Sequence, residues 1–177
     1  MALDSDNVRV GVSGAVYVAP TDTTGPTDSS TALDVAFTDL GYVSADGITE
    51  TIDRTTNQIR AWQNGSLVRE VTSEGTYSVD LTFIETSQAV LELYYGSSVT
   101  AGALDGDPTA TGGRQSFVID VVDGDIVERI YIPAGEITSV GERTIATGEA
   151  IGYQVTITAY ADAGSTTFKK FFSQLEA

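Results

Sequence analysis

The chain has 177 residues, 41% of them hydrophobic, enough for one domain with a real core. It contains no cysteine and no histidine, which excludes disulfides, thiolate chemistry, cysteine–metal sites and any serine–histidine triad. Twenty-five acidic against nine basic residues give a formal net charge of −16, so the cationic footprint of a protein that wraps nucleic acid is missing.

About residues 1–8 read as a polar N-terminal arm, without the basic-then-apolar pattern of a signal peptide. No apolar run approaches the roughly 20 residues a membrane helix needs, so the reading is a soluble protein made in the cytoplasm. Val8 to Ala19 alternates as a strand, with a bulge expected at Ser13-Gly14 and Pro20 ending it. Residues 21–34 are a polar loop. Phe37 to Val43 reads as an edge strand, and Asp46-Gly47 as a turn. Ile48 to Trp62 forms two short strands or one bent strand with the bend near Asn57; Arg54, Arg60 and Arg69 fall in this region. Asn64-Gly65 is a hairpin signal. Leu67 to Thr72 leads out of it, and Glu74-Gly75 is expected to turn into the next strand.

The stretch Thr76 to Gly96 organises the rest. Tyr77, Val79, Leu81 and Phe83 share one face, and Ser78, Asp80 and Thr82 share the other, giving a strand with one buried and one wet face. Thr86 or Ser87 then caps a short helix with Ala89, Val90, Leu93 and Tyr94 on its apolar side, stopped by Gly96. Residues 97–114 are a second polar loop. Asp105 and Asp107 there resemble oxygen ligands, but no glutamate stands at the closing position of a calcium loop, so a plain loop is favoured. Ser116 to Val122 and Ile126 to Ile132 form a hairpin around Asp123-Gly124-Asp125, with Pro133 as its stop. Ile137 to Ile145 is a weaker strand. Ile151 to Tyr160 points Tyr153, Val155, Ile157 and Ala159 inward and Gln154, Thr156 and Thr158 outward. Residues 161–165 turn, and the C-terminal tail from about 165 to 177 carries a last strand or partner-seeking segment, TTFKKFF.

Nine or ten strands and one helix make a mostly β chain: a single-domain β-sandwich or partly open barrel with a flanking α-helix. Such a fold has edges that must be blunted or paired, and an assembly of identical copies closes them. No catalytic constellation emerges. Asp120 and Glu128 form an acidic pair of the kind chance supplies in so acidic a chain, and Gly112-Gly113-Arg114 lacks the Gly-Lys-Ser/Thr of a phosphate loop. No catalytic, cofactor-binding or metal-binding residue is assigned. The strand count and aromatics leave a carbohydrate-binding β-sandwich as an alternative.

The order of three passages resembles a known family. These are LGYVSADGIT at 40–49, AWQ followed by VR at 61–69, and FIETSQAVLELYYG at 83–96. They are similar to the major tail protein, or tail tube protein, of long non-contractile-tailed bacteriophages, particularly those infecting actinobacteria. The resemblance implies a structural virion protein of the phage tail, made in the host cytoplasm, with no catalytic residues and no cofactor. It implies homo-hexameric rings stacked into a tube, whose sheets join between subunits into a β-barrel lining the bore. Loops and terminal arms would reach adjacent rings, and the region from Asn57 to Gly75 would be a projecting hairpin on the family pattern, with a core hairpin equally compatible with its residues. Its implied partners are the tape measure protein, tail chaperones, terminator and baseplate proteins, and double-stranded DNA that passes without specific binding; a membrane is not among them. A head–tail connector or terminator ring is the nearest alternative.

On that resemblance the wet strand faces are candidates for the channel lining: Glu70, Thr72, Ser78, Asp80, Thr82, Gln154, Thr156 and Thr158, with Asp120 weaker. Phe168, Lys169, Lys170, Phe171 and Phe172 are candidates for contact between subunits, and loops 21–34 and 97–114 for contact between rings.

Overall fold

A computed structural model describes residues 7–175, so most of the expected arm at 1–8 and the last two residues of the tail lie outside the described residues. In chain order the elements are β1 (Ser13–Pro20), β2 (Thr38–Asp39), β3 (Val43–Arg60), β4 (Leu67–Phe83), α1 (Gln88–Tyr95), β5 (Val99–Thr100), β6 (Ala103–Leu104), β7 (Gln115–Asp123), β8 (Ile126–Val140), β9 (Tyr153–Ala159) and β10 (Lys169–Phe172). A short 3₁₀ helix, Ser173–Leu175, follows. The protein is mostly β-strand with one flanking α-helix, as expected. All strands except β5 and β6 belong to one antiparallel sheet, ordered β2-β1-β7-β8-β9-β4-β3, with β10 also on β8.

The long strand β8 makes one sheet into two layers. Its first part pairs with β7 on one side and β10 on the other; from Gly135 onward it pairs with β9. Pro133 therefore does not stop the strand. Pro133 and Ala134 together lie across from Ser116, between the pairs Phe117↔Ile132 and Gln115↔Gly135. In that bulge no ladder bond is asked of the missing proline N–H. The two layers enclose one core, in which Phe117, Ile119, Ile130 and Ile132 of the first meet Val79, Leu81, Phe83, Tyr153, Val155 and Ile157 of the second. Each such large apolar side chain contributes about 1.5–3 kcal/mol by leaving water.

Helix α1 covers the core side of the second layer. The Ser87 hydroxyl accepts from the Val90 N–H at 3.3 Å, and Gly96 ends the helix at φ 63°. Val90 and Leu93 are buried, with Ala89 and Tyr94 packed against the same core. The sheet thus has a dry side under the helix and an open side behind it.

Several expected breaks are absent. Val8 to Val12 precede β1 as exposed extended chain, and β1 pairs with β7 without a bulge at Gly14. A side chain at Gly14 would meet the Asp120 carbonyl oxygen at 2.6 Å, so this glycine serves close backbone approach. Asp46-Gly47 makes an irregularity within β3 rather than a turn. Glu74-Gly75 does not turn either: Gly75 pairs with Arg54, and the only irregularity nearby is the extra residue Ser73, whose hydroxyl donates to the Thr55 carbonyl at 3.1 Å. Continuous pairing with β3 outweighs the local turn preference of Glu-Gly. Residues 141–145 lie beyond the end of β8. The polar loop 97–114 contains the small β5–β6 hairpin, turned by Ala101 and Gly102 at φ 51° and 79°.

Candidate assembly surfaces

The open side of the second layer is a polar ladder. Ser78 stands opposite Thr158, Asp80 opposite Thr156, and Thr82 opposite Gln154. On the outer strand, Thr51 and Thr49 face Ser78 and Asp80. On the inner one, Glu136 faces Thr158, and the Thr138 and Thr158 hydroxyls lie 2.7 Å apart. The Thr156 hydroxyl donates to Asp80. Strict alternation along β4 and β9 produces this face, because every intervening residue is a core hydrophobe. Among the residues named here there is no lysine or arginine, and Thr49, Thr138 and Gln154 are exposed, the last with Gly141 beside its side chain.

Beyond Tyr77 the β3–β4 hairpin leaves the body. From Ile52 to Thr76 every residue is exposed except at the tip, where Ala61 is half-buried. Its turn is made by Asn64 at φ 57° and Gly65 at φ 62°, the two positive-φ positions that an Asn-Gly hairpin turn provides. Ile52, Ile59, Leu67, Val68 and Val71 are exposed along it, and Trp62 near its tip is 97% exposed. This is a projecting arm. An isolated two-stranded hairpin is marginal in water, so apolar side chains on both strands call for a partner surface.

The outer side of the first layer is closed instead. Loop 21–34 folds over it: Gly25 sits against the Tyr131 ring, and the Arg129 guanidinium donates to the Thr31 carbonyl at 2.6 Å. Arg129 also holds both carboxylate oxygens of Asp120. Those hydrogen bonds keep its pKa above the ordinary arginine value against the penalty of burial. Loop 97–114 is tied down at both ends, by Val99 N–H donating to Glu92 at 2.9 Å and by the Thr111 hydroxyl donating to Glu136 at 2.6 Å. Asp107 caps its own loop through Thr109. Among the described residues no group of three acidic side chains is placed to hold a metal ion.

A family model described as "Phage tail tube protein" matches residues 1–175. The chain belongs to the phage tail tube proteins. Among solved structures, the tail tube protein is similar to a chain described as "Cryo-EM structure of the anti-feeding prophage cap (AFP tube terminating cap)". That pair has 11% identity and a TM-score of 0.50, covering 96% of this chain and 98% of that one, and shows a shared fold. A chain from "Virion of native gene transfer agent (GTA) particle" has 9% identity and a TM-score of 0.46 over 97% of this chain and 99% of that one. A chain from the anti-feeding prophage baseplate has 10% identity and a TM-score of 0.48 over 97% of each. No curated protein matches. Membership of the family makes this a structural subunit of a phage tail tube rather than an enzyme, and decides against a glycan-binding module.

The tail tube protein brings six of the eight predicted lining residues into one patch: Ser78, Asp80, Thr82, Gln154, Thr156 and Thr158. Glu70 and Thr72 lie elsewhere, on the projecting arm. The extra residue at Ser73 reverses the alternation, so they take the side of Tyr77 and Val79 rather than of Ser78. Asp120 also lies apart from that patch: it is bound by Arg129 under loop 21–34, with its side chain 13% exposed. Within the segment Phe168–Phe172, residues Lys169–Phe172 are β10, a strand of the chain's own sheet. Phe168 stacks on Tyr77 at 4.0 Å between ring centres, and Lys170 bridges Glu50 and Glu128 at 2.7 and 3.0 Å. Lys169 is exposed there, with Phe171 and Phe172 half-buried. Sequence reasoning missed Thr49, Thr51, Glu136 and Thr138 on the polar face, because their strands alternate poorly. It also missed Arg129, the single cation of β8, whose position on the face opposite Ile130 and Ile132 is the signal that could have found the ion pair.

Proposed function

We propose that this tail tube protein forms six-membered rings that stack into a hollow tube conducting the double-stranded DNA genome into the host cell, with the polar face of β3, β4, β9 and β8 lining the bore. The supporting observation is the register Ser78↔Thr158, Asp80↔Thr156, Thr82↔Gln154, which presents hydroxyls, an amide and a carboxylate without a cation. Phosphate gains nothing from such a wall by counterion release, so DNA slides instead of binding. The exposed edge of β3 pairs with a neighbouring copy, so that the sheets continue from subunit to subunit into a barrel without open edges. The projecting arm extends to another copy. The Phe168–Phe172 segment contributes to the interface through Lys169 and Phe171, the side chains of β10 that stand on the side away from the core.

In the virion tail the tube encloses a tape measure protein, grows from a baseplate with chaperone help in the host cytoplasm, and ends at a terminator. Cryo-electron microscopy of the purified polymer tests this reading. The expected map has six-fold rings with Ser78 and Thr156 facing the bore. A bore lined by the β7 side of the sheet, or a chain that stays monomeric at every concentration, overturns it.

A further inference from the structure

Two features stand at opposite ends of the second layer. At one end, Tyr77, Ala159 and Gly135 are level with one another, and the arm leaves from there. Ten residues separate Tyr77 from Leu67, a reach of about 30 Å at ~3.3 Å per residue. Near its tip stands Trp62, 97% exposed and the only tryptophan of the chain. At the other end, where Phe83 is level with Tyr153 and Val140 with Val155, a cavity of 510 Å³ opens between α1, residues 106–111 and the last residues of β8. Its wall includes Leu93, Tyr94, Tyr95, Pro108, Ile137 and Val140.

We propose that Trp62 of one copy seats in this cavity of a second copy. The proposal rests on self-association as read above, and adds where the arm tip goes. Shape and chemistry agree: an apolar, aromatic-walled hollow takes an aromatic anchor that otherwise stays in water. Charge agrees as well. On the arm Asp53, Glu70 and Glu74 balance Arg54, Arg60 and Arg69, so the whole formal charge of −16 belongs to the rest of the chain. Arg60 flanks the tip, and Asp105 and Asp107 stand in and beside the segment that walls the cavity. A knob and a hole at opposite ends of one strand direction are heterologous surfaces, which propagate an assembly instead of closing a two-fold dimer.

The lone tryptophan reports on its own burial. On assembly of the full chain, its fluorescence shifts to the blue and becomes protected from a soluble quencher. Trp62→Ala leaves the monomer's circular dichroism unchanged and raises the protein concentration needed for assembly at least tenfold. Position is tested separately, since the chain has no cysteine of its own. The double variant Gln63→Cys, Ala110→Cys, assembled and treated with a short bismaleimide, gives a ladder of cross-linked copies, while each single variant gives none. A parent chain that never assembles overturns both this proposal and the tube reading. Assembly of Trp62→Ala at the parent's concentration, or tubes of the double variant without a ladder, overturns only the seating of Trp62.

Discussion

Arg129 grips Asp120 through two nitrogens, Nε at 2.7 Å and Nη2 at 2.8 Å, across the pairing of β7 and β8. The side chains are 8% and 13% exposed, so each charge depends on the other. Arg129→Ala strands the carboxylate and also releases the Thr31 carbonyl that the guanidinium holds at 2.6 Å. We expect a loss of about 3 kcal/mol in urea unfolding. Limited proteolysis should meanwhile cut within 21–34, because the loop loses its anchor. Asp120→Asn keeps a hydrogen-bonding partner and the loop contact, so its loss is smaller and the loop stays resistant.

Gly135 marks the point where β8 passes from one layer to the other. A Cβ there would lie 2.7 Å from Phe117 Cδ2 and 3.0 Å from Ile157 Cγ2, one contact in each layer. Both side chains are fully buried and have nowhere to retreat. Gly135→Ala should cost about 1–3 kcal/mol through overpacking. The measurement is a urea midpoint that falls at unchanged slope, since the loss is of fit and not of compactness.

What could be read from the sequence followed the strength of local patterning. Tyr77 to Phe83 and Tyr153 to Ala159 alternate cleanly, so their faces, and the polar patch they form together, were legible before any coordinates. The helix was legible from Ser87, its apolar spacing and Gly96. The breaks were not. Pro133 and Glu74-Gly75 look like stops, yet both lie inside strands because a neighbour's ladder carries them through a bulge. Bulges also flip parity, which is why Glu70 and Thr72 left the face that simple alternation assigns them. Asp120 looked like one acid among many, since only its cross-strand partner reveals its role. That the Asn57 to Gly75 hairpin projects was open in the sequence, because exposed Ile59 and Val71 read equally well as core.

Loop 21–34 carries its own acid-sensitive fastening. The Asp28 carboxylate accepts from the Thr31 hydroxyl and N–H and from Ser30, and these bonds lower its pKa from 3.8 to about 2, the Thr31 side chain contributing most. The folded value lies below the unfolded one. The stabilisation is therefore complete above the ordinary value of 3.8 and is lost as the pH falls towards 2. Thr31→Val removes the largest contribution. Carboxyl NMR titration should then place Asp28 nearer its ordinary value, while the Arg129 contact to the residue 31 carbonyl persists. An unmoved titration would mean the hydroxyl bond is not what lowers it.

Gln154 is an exposed residue of the polar ladder, opposite Thr82. Gln154→Lys would therefore stay folded, because a long side chain on an open face extends into solvent. In a tube it repeats once per subunit and turns a neutral band of the bore cationic. Phosphates then exchange counterions with it, an interaction that weakens linearly in log salt. We expect tubes of normal length whose genome release is slowed several-fold at low salt and restored at high salt. Gln154→Glu on the same face should release DNA as the parent does. Equal release for the lysine variant at low salt would mean that this face does not meet DNA, and would move the bore to another surface of the subunit.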